Sequence, residues 1–195
     1  MDTVKDVYIF YNEYIKPIYS EVEARDNQLP IELLFEVHAA FDHLKRFYLQ
    51  EDQESYACDK ALSHLKRGIL DAYKIKLKYF NKDIERLFNP KIDITIIDSG
   101  SFADHFYKKK NELIQKAKQA RLNERKNTPE EAFENWLEVS LLIDDFDINF
   151  LSQLDKIDWA KAQTKSRTLK KLVIDLLAGF FIGVISSIAV WLITR

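Results

Sequence analysis

Leu172 to Thr194 reads LVIDLLAGFFIGVISSIAVWLIT, and Asp175 is its only ionisable residue. At about 1.5 Å of rise per residue, a helix of this length measures about 35 Å. That is enough to cross a hydrocarbon core of about 30 Å with some tilt. No other stretch is comparably apolar. The run therefore predicts a soluble domain carried on one C-terminal membrane anchor, with the remainder of the chain having to fold by itself in water.

About 170 residues precede the run, a normal length for one domain with one core. A charged content of 31% and a hydrophobic content of 47% are those of a folded chain, not a disordered one. With only 4 Gly and 4 Pro, breakers are scarce, which favours a few long helices over many short strands. Cys58 stands alone, so no disulfide framework is expected and a reducing compartment is the natural setting. Asp2, Lys5 and Asp6 follow Met1 in place of a secretory signal. Lys161, Lys165, Arg167, Lys170 and Lys171 precede the apolar run and only Arg195 follows it. The positive-inside bias then predicts a single-pass, tail-anchored protein with its N-terminal domain in the cytoplasm.

Apolar spacing predicts a first helix from Thr3 to about Arg25, with a kink or break at Pro17. A second starts at Pro30 and carries Ile31, Leu34, Val37, Phe41, Leu44 and Tyr48 as its stripe, before a turn over Gln50 to Ser55. A third, long helix spans about Ser55 to Phe88, its stripe passing through Ala61, Leu65, Ile69, Ala72, Ile75 or Lys76, and Phe80, until Asn89-Pro90 stops it. Lys91 to Gly100 alternates Ile92, Ile94 and Ile96, which predicts an extended, partly buried connection. Ser101 is expected to cap a fourth helix reaching about Lys126. Thr128-Pro129-Glu130-Glu131 is the strongest start signal in the chain, opening a fifth helix that Asp144, Asp145 and Asp147 can interrupt. The expected architecture is all-α: a cytoplasmic helical bundle of about five helices over residues 1–160, a basic juxtamembrane linker over 161–171, and a transmembrane helix over 172–194, with Ala162 to Thr168 either a short linker or helix running on into the span.

The fourth segment is basic, with eight Lys or Arg between Lys108 and Lys126. The fifth is acidic, with nine Asp or Glu between Glu130 and Asp158. An antiparallel hairpin of mutually attracting helices accounts for both, and for the net charge of −2. No aromatic interleaving supports base stacking on the basic face, so nucleic acid is not an expected partner. A short echo, Phe41-Asp42-His43-Leu44-Lys45-Arg46 against Leu62-Ser63-His64-Leu65-Lys66-Arg67, places polar stripes on two neighbouring helices. His38, Asp42 and Arg46 share one face of the second helix; His64, Arg67 and Asp71 share one face of the third. If the stripes meet, they form either an inter-helix salt-bridge network or a ligand pocket in which Arg46 and Arg67 hold an anion.

The chain has no Glu-x-x-His pair, zinc spacing, Gly-rich phosphate loop or Gly-x-Ser-x-Gly elbow. No catalytic residue, metal or cofactor is therefore expected. Within the apolar run, Asp175, Gly179, Gly183 and Ser187 recur every four residues, and Gly179 to Gly183 is a GxxxG pattern that permits close helix contact in lipid. This predicts homo-oligomerisation through the membrane helix, with Lys161, Lys165, Arg167, Lys170 and Lys171 contacting lipid headgroups. Two functions fit. One is a sensor-effector that responds to an anionic small molecule or protein partner and clusters in the membrane, a layout that resembles short bacterial anti-phage effectors in architecture only. The other is a tail-anchored adaptor that recruits a partner protein to the membrane surface.

Overall fold

A computed structural model describes residues 2–27, 30–50, 52–88 and 92–194. Among them there are six continuous helices and no strand. The first is compound: α1 (Val4–Phe10), a π turn (Tyr11–Ile15) and α2 (Lys16–Asp26) follow without a break. Thr3 opens it with a capping box to Asp6, and left-handed Asn27 closes it. The expected break at Pro17 does not occur. The wider π turn lies immediately before the proline, and the Lys16 amide reaches back to the Tyr11 carbonyl. This extra residue in the turn accommodates a ring that would otherwise crowd the preceding carbonyls.

α3 (Ile31–Gln50) and α4 (Glu54–Leu87) come next, followed by tight turns over Ile94–Gly100, α5 (Ser101–Asn123) and α6 (Pro129–Phe146). A second π turn (Asp147–Leu151) continues α6, and α7 (Leu154–Ile193) completes the order. The expected stop at Asn89-Pro90, the start of the connection at Lys91 and the trailing Arg195 lie outside the described residues.

α4 is the central element. Its stripe of Ala61, Leu65, Ile69, Ala72, Tyr73 and Phe80 is buried, and α1, α2, α3 and α6 all pack against it. α5 packs on α6 in the antiparallel sense, as the ion pairs Lys109–Asp145 (3.1 Å) and Lys116–Glu138 (2.6 Å) require. The basic and acidic segments therefore face each other, and the Thr128–Glu131 capping box starts α6 as expected. Phe80, Phe102, Phe106, Phe146 and Phe150 form a chain of ring contacts at 5.0–5.6 Å where α4, α5 and the second π turn converge. Edge-to-face geometry dominates it, which suits the ring quadrupoles.

Three local expectations are corrected. Residues 94–100 do not extend. Ile94 and Ile97 are the buried pair, at the three-residue spacing of tight turns, while Asp98, Ser99 and Gly100 adopt positive φ and turn the chain. Ser101 does not cap α5: Gly100 occupies the cap position and the Ser101 hydroxyl donates to the Asp98 carbonyl. α3 buries Leu33, Ala40 and Leu44, leaving Ile31, Phe41 and Tyr48 of the expected stripe exposed. Of the two alternatives for the stretch before the apolar run, the helical one is found: residues 161–171 are a continuous part of the 40-residue α7.

Candidate functional site

Three places combine chemistry with a defined position. The first is the α3–α4 interface, where His64 and Arg67, two of the six residues expected to cluster, meet on one carboxylate of α3. Gly68 brings the helices close, since a Cβ there would stand 2.8 Å from the Glu36 Cβ. Glu36, absent from the sequence expectation, thereby lies over α4. Arg67 grips its carboxylate with two bonds of 2.7 Å, the fork geometry of a guanidinium on a carboxylate. His64 Nδ1 lies 2.7 Å from Glu36 Oε2 and 2.8 Å from an Arg67 nitrogen. A ring nitrogen serves one or the other: carrying a proton it donates to Glu36, and bare it accepts from Arg67. Burial raises the Glu36 carboxyl, but the bonds from Arg67 and His64 outweigh it and hold the carboxyl below its ordinary value. His43, also missed, stacks on His64 at 5.1 Å. Burial, with the charges of His64 and Arg46 behind it, lowers the His43 pKa and favours the neutral ring.

The other expected members go elsewhere. Asp42 bonds Arg46 and Lys45 along the outside of α3. Asp71 bonds Lys74, which also reaches Glu124 at 2.7 Å. His38 is exposed. The stripes meet at Glu36, not at Asp42, because α3 is rotated relative to the expected stripe.

The second place is Lys76. Its side chain is 6% exposed and pairs with Asp144 at 2.6 Å and Glu21 at 3.1 Å, tying α4 to α6 and α2. A cavity of about 290 Å³ opens beside it, bordered by Tyr14, Pro17, Tyr73, Ser140 and Leu141. Burial, reinforced by Tyr14, Asp144 and Glu21, pushes the Tyr73 hydroxyl well above the ordinary tyrosine range, so it stays protonated. The sequence signal was present: a lysine in phase with a buried stripe needs carboxylates from its neighbours.

The third place is α7. Ile157 and Ala160 are fully buried, and the Thr164 hydroxyl accepts from the Asp93 amide at 3.0 Å. Arg167 faces Asp93 at 3.6 Å and Lys161 pairs with Asp158; Lys165, Lys170 and Lys171 are exposed. From Leu172 to Thr194 every residue of the helix and its cap is exposed. Its most apolar 18 residues have a mean hydropathy of 2.4 and none is buried, so it is long and apolar enough to span a membrane. Asp175, Gly179, Gly183 and Ser187 are all exposed, and a Cβ on either glycine would meet nothing within 4 Å. Ser187 closes its hydroxyl onto the Gly183 carbonyl at 2.9 Å, the usual way for a serine to satisfy itself on an apolar helix. Among the described residues no group of His, Cys, Asp and Glu is disposed to hold a metal. No family model, curated protein or solved structure shows significant similarity to this chain.

Proposed function

We propose that this chain is a single-pass membrane protein whose helical part faces the cytoplasm and acts as a non-enzymatic sensor-effector. A partner or anionic ligand is read on the α3–α4 face around Glu36, His43, His64 and Arg67. The response is a change in self-association of the membrane helix through Asp175, Gly179, Gly183 and Ser187. Lys161, Lys165, Arg167, Lys170 and Lys171 meet the headgroups. The observation that carries this reading is the unbroken α7. One helix is packed into the core at Ile157 and Ala160 and bare from Leu172 on, so no flexible joint separates the domain from the span. A motion of the domain is then a motion of the span.

The test is expression of the full chain beside a version ending at Thr168. Growth arrest or depolarisation that requires residues 172–194, together with crosslinking between spans that Gly183→Ile reduces, supports the effector. Protease added to spheroplasts should spare the helical part; digestion from outside would reverse the topology.

A second reading is favoured by a specific feature. Ile31, Phe35, Tyr48 and Leu49 expose large apolar side chains on the outside of α3, Phe35 by 68% and Leu49 by 74%. Each of these two exposed apolar ends of α3, Ile31 with Phe35 and Tyr48 with Leu49, is a place for a partner helix. If full-length and truncated chains are equally inert, and Phe35→Asp abolishes recruitment of a partner, the protein is a membrane-anchored adaptor.

A further inference from the structure

A pocket of about 490 Å³ lies against α7 immediately above the apolar run. Arg86, Lys161 and Lys165 form its cationic side; Ile92 and Leu169 form its apolar side. Thr164 and Thr168 complete it, but their hydroxyls already donate to the Ala160 and Thr164 carbonyls, so they offer it mainly methyl surface. We infer that this pocket binds the headgroup of one anionic phospholipid from the leaflet that α7 enters. The inference rests on the membrane reading of α7 and adds a defined lipid site to it.

Position argues for this occupant. At about 1.5 Å per residue, Leu169 and Thr168 stand about 5–6 Å above Leu172, and Lys165 about 10 Å above it. The polar zone of one leaflet is about 5–8 Å thick, so the lower edge of the pocket, at Thr168 and Leu169, lies at phosphate depth and Lys165 stands just beyond its outer boundary. Charge argues for it as well. Lys165 has no carboxylate partner among the described residues. Arg86 meets Asp83 at 3.3 Å with its own side chain 74% exposed, and Lys161 meets Asp158 at 3.1 Å on the surface. Exposed pairs of this kind are weak and yield readily to a phosphate, for which a guanidinium fork is well matched. The apolar wall suits the glycerol and upper acyl segments, which a soluble phosphate would leave unfilled.

The experiment uses the full chain in phosphatidylcholine nanodiscs containing a minority of phosphatidylglycerol, read by native mass spectrometry. The wild-type chain should retain one phosphatidylglycerol. Thr168→Trp, which fills the pocket without changing charge, should lower the ratio of lipid-bound to lipid-free chain about tenfold, and Lys165→Ala about fivefold. Lys118→Ala with Lys126→Ala removes two exposed charges outside the pocket, on residues with no part in headgroup contact, and should leave retention unchanged. Thermal melts of all variants should match, because the substituted positions are exposed. Equal retention in Thr168→Trp, equal loss in the Lys118/Lys126 double variant, or equal retention of phosphatidylcholine would each overturn the site. Failure of the chain to enter nanodiscs would overturn the membrane reading itself, a separate outcome.

Discussion

α4 and α7 are the two longest helices, at 34 and 40 residues, and they solve opposite problems. α4 mixes lysines, aspartates and arginines with a single apolar stripe, and fifteen of its residues are buried. α7 is apolar all round over its second half, yet buries only Ile157 and Ala160, both in the first. Apolar content alone therefore does not make a core helix. What decides is whether the apolar surface falls on one face that neighbours can cover. Where it covers every face and nothing packs on it, water is the wrong solvent for it.

The sharpest way to break this contrast is to remove residues 172–194. The chain should leave the membrane fraction entirely while its helical circular dichroism and cooperative melt persist, as fractionation and a thermal scan would show. Loss of the melt would mean that the apolar run belongs to the core after all. Next in size, Leu65→Ala in α4 should cost about 3 kcal/mol in denaturant unfolding, because it leaves a cavity in a filled core. Leu177→Ala in α7 should leave the same midpoint unchanged, since Leu177 touches no core.

The glycines sharpen the comparison further. Alanine at position 68 gains about 1 kcal/mol of helix propensity but places a methyl 2.8 Å from the Glu36 Cβ, a backbone-fixed atom. Gly68→Ala should therefore be net destabilising by about 1–2 kcal/mol, measured by urea titration. Gly183→Ala should leave that titration unmoved, as its Cβ meets open space within the single chain.

The smallest effect is with pH. The unfolded chain protonates His43 near its ordinary value of 6.5, whereas the folded chain holds it lower. Stability is thus fully present above that value and declines as pH falls below it through the folded pKa. Glu36 acts in the same direction at lower pH: its contribution is present above about 4.5 and is lost as pH falls through its depressed folded value. Chemical denaturation between pH 8 and 4 should show the first decline, and His43→Gln should flatten it.

The helix content, α4, the α5–α6 hairpin and the apolar run were legible because each has one dominant local signal. α3 was legible as a helix but not in its phase. Ile31, Phe41 and Tyr48 compete with Leu33 and Ala40 to flank Leu44, and only the fit to Gly68 on α4 chooses between them. That misphasing hid Glu36, the α3 carboxylate that Arg67 grips. The isoleucine alternation at 92, 94 and 96 resembled extended chain because the turn chemistry of Asp98-Ser99-Gly100 acts only after it. Lys76 was half legible: its phase placed it inside, but Glu21 and Asp144, distant in sequence, supply the charges that keep it there.

Because α7 is unbroken, it also works as a fixed clock face. At about 100° per residue, Gly179 and Gly183 lie roughly a quarter turn around the axis from the face formed by Ile157, Ala160 and Thr164. In a pair joined at these glycines, the two helical parts would hang to the sides of the contact instead of between the spans, so each stays docked on its own helix. Every residue added between 168 and 175 would advance the hands by about 100° while lengthening the helix by only about 1.5 Å. Angular register between the domain and the glycine face, more than distance from the bilayer, is then the quantity this fold controls.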